Sequence, residues 1–130
     1  IIGIDPTGLS DLVFNRANGT LTVYDSQSNQ VGQFPAANNT TRSSNGPWPN
    51  GMYDFSHYNS HPESGPTGPY GSNGIFVFDV PGRYGMGVHS GRRGPESPTL
   101  GCIRTTDEAT GFLKNLNSTD PLQTIKVKDY

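Results

Sequence analysis

Apolar and polar positions alternate through the first third of the chain. Asp11-Leu12-Val13-Phe14-Asn15 and Thr20-Leu21-Thr22-Val23-Tyr24 flank Asn18-Gly19, a pair that tolerates the positive φ of a tight turn, and together they predict an antiparallel hairpin. In the second run Leu21 and Val23 point one way and Thr20, Thr22 and Tyr24 the other, so one face is expected to be buried. Residues 26–29 read as a second turn and residues 31–34 as a third strand. A polar stretch then enters Gly46-Pro47-Trp48-Pro49-Asn50-Gly51, where two prolines forbid ladder bonds and predict an ordered loop. Extended structure resumes at residues 52–55. Residues 56–73 are rich in glycine and proline and predict a long surface loop.

Gly74-Ile75-Phe76-Val77-Phe78-Asp79-Val80 is apolar on both faces, the pattern of a central strand, with a shorter partner at residues 85–89. One helix is convincing. Thr105 with Glu108 three residues later forms a capping box, and Asp107 and Glu108 suit the positive first turn. Ala109, Phe112, Leu113 and Leu116 then recur as one stripe, weakened at Gly111 by about 1 kcal/mol relative to alanine. Asp120-Pro121 ends it. Ile125 and Val127, alternating with Lys126 and Lys128, predict a closing edge strand. The expected architecture is a single domain over residues 1–130, mainly β with one or two short helices.

Composition narrows the classes. With 9 Lys and Arg against 11 Asp and Glu, the net charge of −2 offers no basic face for nucleic acid. Glycine (17) and proline (11) are abundant and the hydrophobic share is only 31%, but patterned segments and 10% aromatic residues favour a loop-rich folded domain over disorder. No apolar run approaches the roughly 20 residues of a membrane span. Ile1-Ile2-Gly3-Ile4 is too short for a leader, so the chain reads as a mature form, an excised domain or a product exported by another route. One cysteine excludes an internal disulfide and a multi-cysteine zinc site.

That cysteine lies where chemistry is possible. Gly87-Val88-His89-Ser90-Gly91 is followed, after a loop, by Gly101-Cys102-Ile103-Arg104 and the capped helix. A lone cysteine is ordinarily an inert, buried small residue. This one stands at a loop-to-helix junction, where helix N–H groups are expected to favour the thiolate. His89 at a strand end can fold over the sulfur as base and acid. Gly101 would admit a substrate carbonyl, and N–H groups around Cys102 would hold the oxyanion.

Leu100-Gly101-Cys102-Ile103-Arg104, with Val88-His89-Ser90-Gly91 before it, resembles the signature of the L,D-transpeptidase (YkuD-like) catalytic domain. That family carries a histidine-glycine element on a strand, then serine-histidine-glycine-cysteine-(Ile/Val)-arginine. Residues 12–34, the Gly46 to Tyr53 segment and residues 75–80 are similar to flanking parts of the family, the last to its short effector-type members delivered by type VI secretion. Here Leu100 replaces the second histidine, Ser90 separates His89 from Gly91, and the intervening loop is shorter. The resemblance implies a β-sandwich-like fold and, with no cofactor, cysteine-dependent acyl transfer on peptidoglycan stem peptides: L,D-transpeptidation, exchange or L,D-carboxypeptidase action through a thioester at Cys102. His89 would be base and acid, and Ser90 or Gly91 would orient its ring through a backbone carbonyl. Arg104 would either bind a stem carboxylate or pack structurally. The implied location is periplasmic, in the cell envelope or secreted, and an effector would imply an immunity protein.

Trp48 and Tyr53 suit the substrate cleft and core or loop-anchor packing equally, while Tyr84 and Gly91 are further candidates for the cleft, with Tyr70 and Arg83 in loops beside it. Arg92-Arg93 reads as a solvated pair placed to attract acidic stem peptides. Two other functions compete. A binding domain of the same fold would have lost turnover, against which the retention of both Cys102 and His89 speaks. A zinc hydrolase would use His57, His61 and His89, although Pro62 and the loop context disfavour a helical pair at residues 57 and 61.

Overall fold

The computed structural model describes residues 9–60 and 65–130. Among these residues eight strands and one helix follow in the order β1 (Ser10–Asn15), β2 (Thr20–Tyr24), β3 (Gln30–Ala37), β4 (Gly51–Asn59), β5 (Ile75–Phe78), β6 (Gly87–His89), β7 (Ile103–Thr105), α1 (Asp107–Thr119) and β8 (Leu122–Lys128). Ile1 to Ile4, too short for a leader, and the candidate zinc ligand His61 lie outside the described residues.

The strands close into one ring, β1-β2-β3-β7-β6-β5-β4-β8. Two long strands turn its corners, which is why the ring has two sheet-like halves. Residues 30–35 of β3 pair with β2, whereas Ala36 and Ala37 pair with β7. Gly51 to Asp54 of β4 pair with β8, whereas Phe55 to Asn59 pair with β5 beyond a register shift between Phe55 and His57. Such an irregularity bends a strand and lets it serve two sheets.

The interior follows from strand alternation. Leu12, Phe14, Leu21, Val23, Phe76, Phe78, Val88, Ile103, Ile125 and Val127 point inward, and Leu113 of α1 joins them. Helix α1 also lays Phe112 against Phe34, ring centres 5.6 Å apart. Its cap is Thr106, one residue later than expected: the Thr106 side chain accepts the Ala109 N–H, and the chain up to Thr105 is strand β7. Sequence reading missed β7 because three residues bounded by a turn and a cap carry no periodic signal. Strand β8 was expected at an edge; instead it pairs in parallel with β1 and antiparallel with β4. Ring closure leaves it no edge, and Lys126 and Lys128 occupy only its outer face. Four residues assigned to the loop after β4, 56–59, extend that strand.

Candidate active site

Strands β6 and β7 lie side by side in parallel, with Val88 opposite Ile103 and His89 opposite Arg104. Val88 and Ile103 are wholly buried in the core. Alternation therefore puts His89, Arg104 and Cys102, two residues before Arg104, on the other face of the same strand pair. There Cys102 packs with Ile75 and Val77, the outward-facing partners of core residues Phe76 and Phe78.

Two cavities meet at the sulfur. One, of about 500 Å³, is lined by Ile75, Val77, His57, Tyr84 and Cys102 among others. The second, of about 200 Å³, is lined by His89, Arg92, Arg104 and Cys102. Tyr70 and Leu100 belong to both. Leu100 is 70% exposed and Tyr84 99%, so the cleft has an apolar, open rim above a nearly covered thiol. The Tyr70 ring lies 5.0 Å from that of His89, centre to centre.

The electrostatics differ from the expected thiolate. Burial pushes the Cys102 thiol up; the Gly87 N–H at the sulfur and the Arg104 charge oppose it only in part. The helix N-terminus gives no help because β7 separates it from Cys102. The thiol is thus neutral at rest and donates to the Gly85 carbonyl at 3.6 Å. His89 is held down to about 4, first by burial and then by the Arg104 charge, against a raising contact with Ser90. Its Nδ1 is 2.8 Å from the Ser90 carbonyl oxygen. A carbonyl only accepts, so Nδ1 carries the hydrogen and Nε2 is an unprotonated acceptor near neutral pH.

The turn that presents the sulfur is braced from below. Asn38 donates through Nδ2 to the carbonyls of Gly101 and Cys102, at 2.9 and 3.1 Å, and accepts the Trp48 N–H at 2.7 Å. Thr99 Oγ1 donates to the Cys102 carbonyl and accepts the Gly101 N–H. That N–H is consequently not offered to an oxyanion. Gly101 itself adopts φ +141°, and a Cβ there would stand 2.8 Å from the Met86 sulfur. Backbone conformation and Met86 are each enough to require glycine there.

Several candidate residues serve the scaffold. Trp48 is 1% exposed and donates its indole N–H to the Gly101 carbonyl; it lies beneath the Gly101-Cys102 turn rather than along the cleft. Tyr53 packs edge-on against Trp48 and donates to the Pro49 carbonyl, so it too is a core residue. Gly91 (φ +105°) is covered by the Gly68 to Gly71 backbone, where a Cβ would meet the Gly68 oxygen at 2.2 Å. Arg104 is 2% exposed. Its guanidinium donates to the carbonyls of Ser90, Ser97, Pro98 and Pro69, which is the packing alternative. Ser90 contributes its carbonyl to His89, while its hydroxyl turns away to Asp107. Asp107, whose carboxyl is shifted down by hydrogen bonds from Ser72 and Ser90 in spite of burial, thereby ties the Gly71-Ser72 loop to the helix start.

Sequence reading overlooked Asn38, Thr99 and Met86. No local pattern marks an asparagine whose partners are 63 and 64 residues away. His57 lines the larger cavity and His89 the smaller; among the described residues no three His, Cys, Asp or Glu side chains cluster as a metal site. Likewise, no described helix is long and apolar enough to cross a membrane.

The closed strand ring with its helix is similar in fold to L,D-transpeptidase catalytic domains. Neither a protein-family model nor a curated protein matches the sequence. Among solved structures, Bdellovibrio bacteriovorus Bd1075 is similar with a TM-score of 0.69 and 18% identity, over 100% of this chain and 52% of that one. An L,D-transpeptidase from Mycobacterium tuberculosis gives 0.67 and 17%, over 94% and 58%. Another from Xylanimonas cellulosilytica gives 0.65 and 15%, over 92% and 60%. At these identities the likeness is one of fold, and this chain spans between half and two thirds of the length of those structures.

Proposed function

We propose that the chain catalyses cysteine-dependent acyl transfer on peptidoglycan stem peptides, outside the cytoplasm. The observation that carries this reading is the placement of a neutral, backbone-oriented His89 on the same face and in the same cavity as Cys102. The thiol begins protonated, so the sulfur loses its proton to His89 Nε2 as its lone pair forms the S–C bond to the substrate carbonyl. The carbonyl belongs to the L-centre of meso-diaminopimelate in a tetrapeptide stem. Collapse of the tetrahedral adduct breaks the C–N bond, and the departing amine takes the proton from His89. The resulting thioester passes to an amine, giving a cross-link or exchange, or to water, giving carboxypeptidase action. In either case His89 removes the acceptor proton and returns it to sulfur.

The test is incubation with defined muropeptides and mass analysis of the products. Wild-type protein should release the terminal D-residue or exchange it, and Cys102→Ala and His89→Ala should do neither while retaining the wild-type circular dichroism spectrum. Full activity in Cys102→Ala would overturn the thiol mechanism.

A further inference from the structure

The smaller cavity beside Cys102 is lined by two arginines, Arg92 and Arg104, and among the described residues by no acidic one. Their situations differ. Arg104 is buried with its N–H groups committed to four residues' carbonyls. Arg92 is exposed, and only its backbone N–H, donating to the Gly68 carbonyl at 2.9 Å, is engaged. Among the described residues no ion pair or hydrogen bond holds its guanidinium. Burial and then the nearby Arg92 charge depress the pKa of Arg104, so two like charges are brought close, and no described acidic residue lines the cavity to neutralise them. The backbone does this at a cost: Arg92 and Arg93 occupy successive left-handed conformations, φ +46° and +68°, which non-glycine residues disfavour. The turn places Arg92 in the Cys102 cavity and Arg93 in another, beside the start of α1.

We propose that Arg92 is the carboxylate-recognition residue of the site, taking the free α-carboxylate of the residue that leaves when Cys102 is acylated. The assignment rests on the acyl-transfer reading above. Direction follows from proton transfer. The departing amine must receive its proton from His89, and His89 lines the Arg92 cavity and not the larger one. The leaving residue therefore occupies the small cavity, and its terminal carboxylate meets the uncommitted guanidinium there. A substrate whose scissile bond is followed by more chain would bring an amide instead of a carboxylate to Arg92. Cleavage is thereby restricted to the last peptide bond of a stem.

The experiment compares a tetrapeptide stem with a free C-terminal carboxylate and the same stem amidated. Wild-type protein should favour the free acid by about tenfold or more in kcat/KM. Arg92→Ala should abolish that preference by raising KM for the acid alone, Arg92→Lys should restore part of it, and Arg93→Ala should leave it intact. An undiminished preference in Arg92→Ala overturns the assignment. If wild-type protein turns over neither stem, the acyl-transfer reading fails, and Cys102→Ala protein titrated by NMR with the two stems decides the Arg92 assignment separately. Tighter binding of the acid, lost in Cys102→Ala/Arg92→Ala, supports it; equal affinities, or binding of neither, overturn it.

Discussion

The Nδ1 atom of His89 lies 2.8 Å from the carbonyl oxygen of Ser90, and this contact selects the tautomer in which Nε2 is the free base. The same imidazole is buried and its pKa falls from 6.5 to about 4. In the unfolded chain the ring returns to its ordinary value, so between those two pH values the unfolded state binds a proton that the folded state refuses. The stabilising contribution is complete above 6.5 and is lost as pH falls through about 4; the whole shift corresponds to roughly 3 kcal/mol. Denaturant unfolding from pH 7 to pH 4 should show a steeper loss of stability in wild-type protein than in His89→Gln. Parallel profiles would contradict a neutral buried imidazole.

A buried thiol with a raised pKa should be slow to alkylate. Iodoacetamide modification of Cys102, followed by intact mass, is expected to be slower at pH 7.5 than that of a free thiol and to accelerate only at alkaline pH. His89→Ala should slow it further near neutrality if the imidazole draws off the proton during attack. An apparent thiol pKa below 7 would instead establish a preformed thiolate–imidazolium pair and replace general-base attack as the first step.

What the sequence disclosed was what neighbours along the chain decide. The β1–β2 hairpin, the apolar β5 and the α1 stripe rest on local periodicity, and all three stand in the fold. The Gly101-Cys102 and His89-Ser90 pairs were readable because each is a contiguous motif. The support beneath them was not. By sequence Trp48 and Tyr53 suit cleft wall and core equally, and only ring closure decides that both lie inside. Thiolate character was inferred from the distance in sequence between Cys102 and α1, but three residues of β7 intervene and burial dominates.

Asn38 offers a test of that hidden support. It is 6% exposed and satisfies the carbonyls of Gly101 and Cys102 together with the Trp48 N–H. Asn38→Ala removes these partners, although Thr99 and the Trp48 indole still serve the two carbonyls. Asn38→Asp is expected to be worse, because an oxygen replaces the donor opposite two carbonyl oxygens. Losses of about 1–3 kcal/mol are expected on chemical denaturation, with kcat for stem-peptide processing falling more than KM rises as the Cys102 turn loses its position. Unchanged stability in both variants would show that the turn holds itself.

Arg104 separates architecture from binding. Its fork reaches four carbonyl oxygens at 2.7–3.3 Å, drawn from the β6 end and from two different loops. A lysine provides one point of charge and cannot span them. Arg104→Lys should therefore lose most of what Arg104→Ala loses, about 3 kcal/mol or more, with Tm lower by roughly 10 °C. Because Ser90 O is shared between Arg104 Nε and His89 Nδ1, both variants should also disturb the imidazole. The His89 ring-proton resonances should shift and the acid limb of activity should move. If Arg104 instead bound substrate from a self-sufficient scaffold, its substitution would raise KM for carboxylate-bearing stems and leave Tm where it was. That pattern is expected at Arg92, and the contrast between the two arginines in one pair of measurements tells recognition from support.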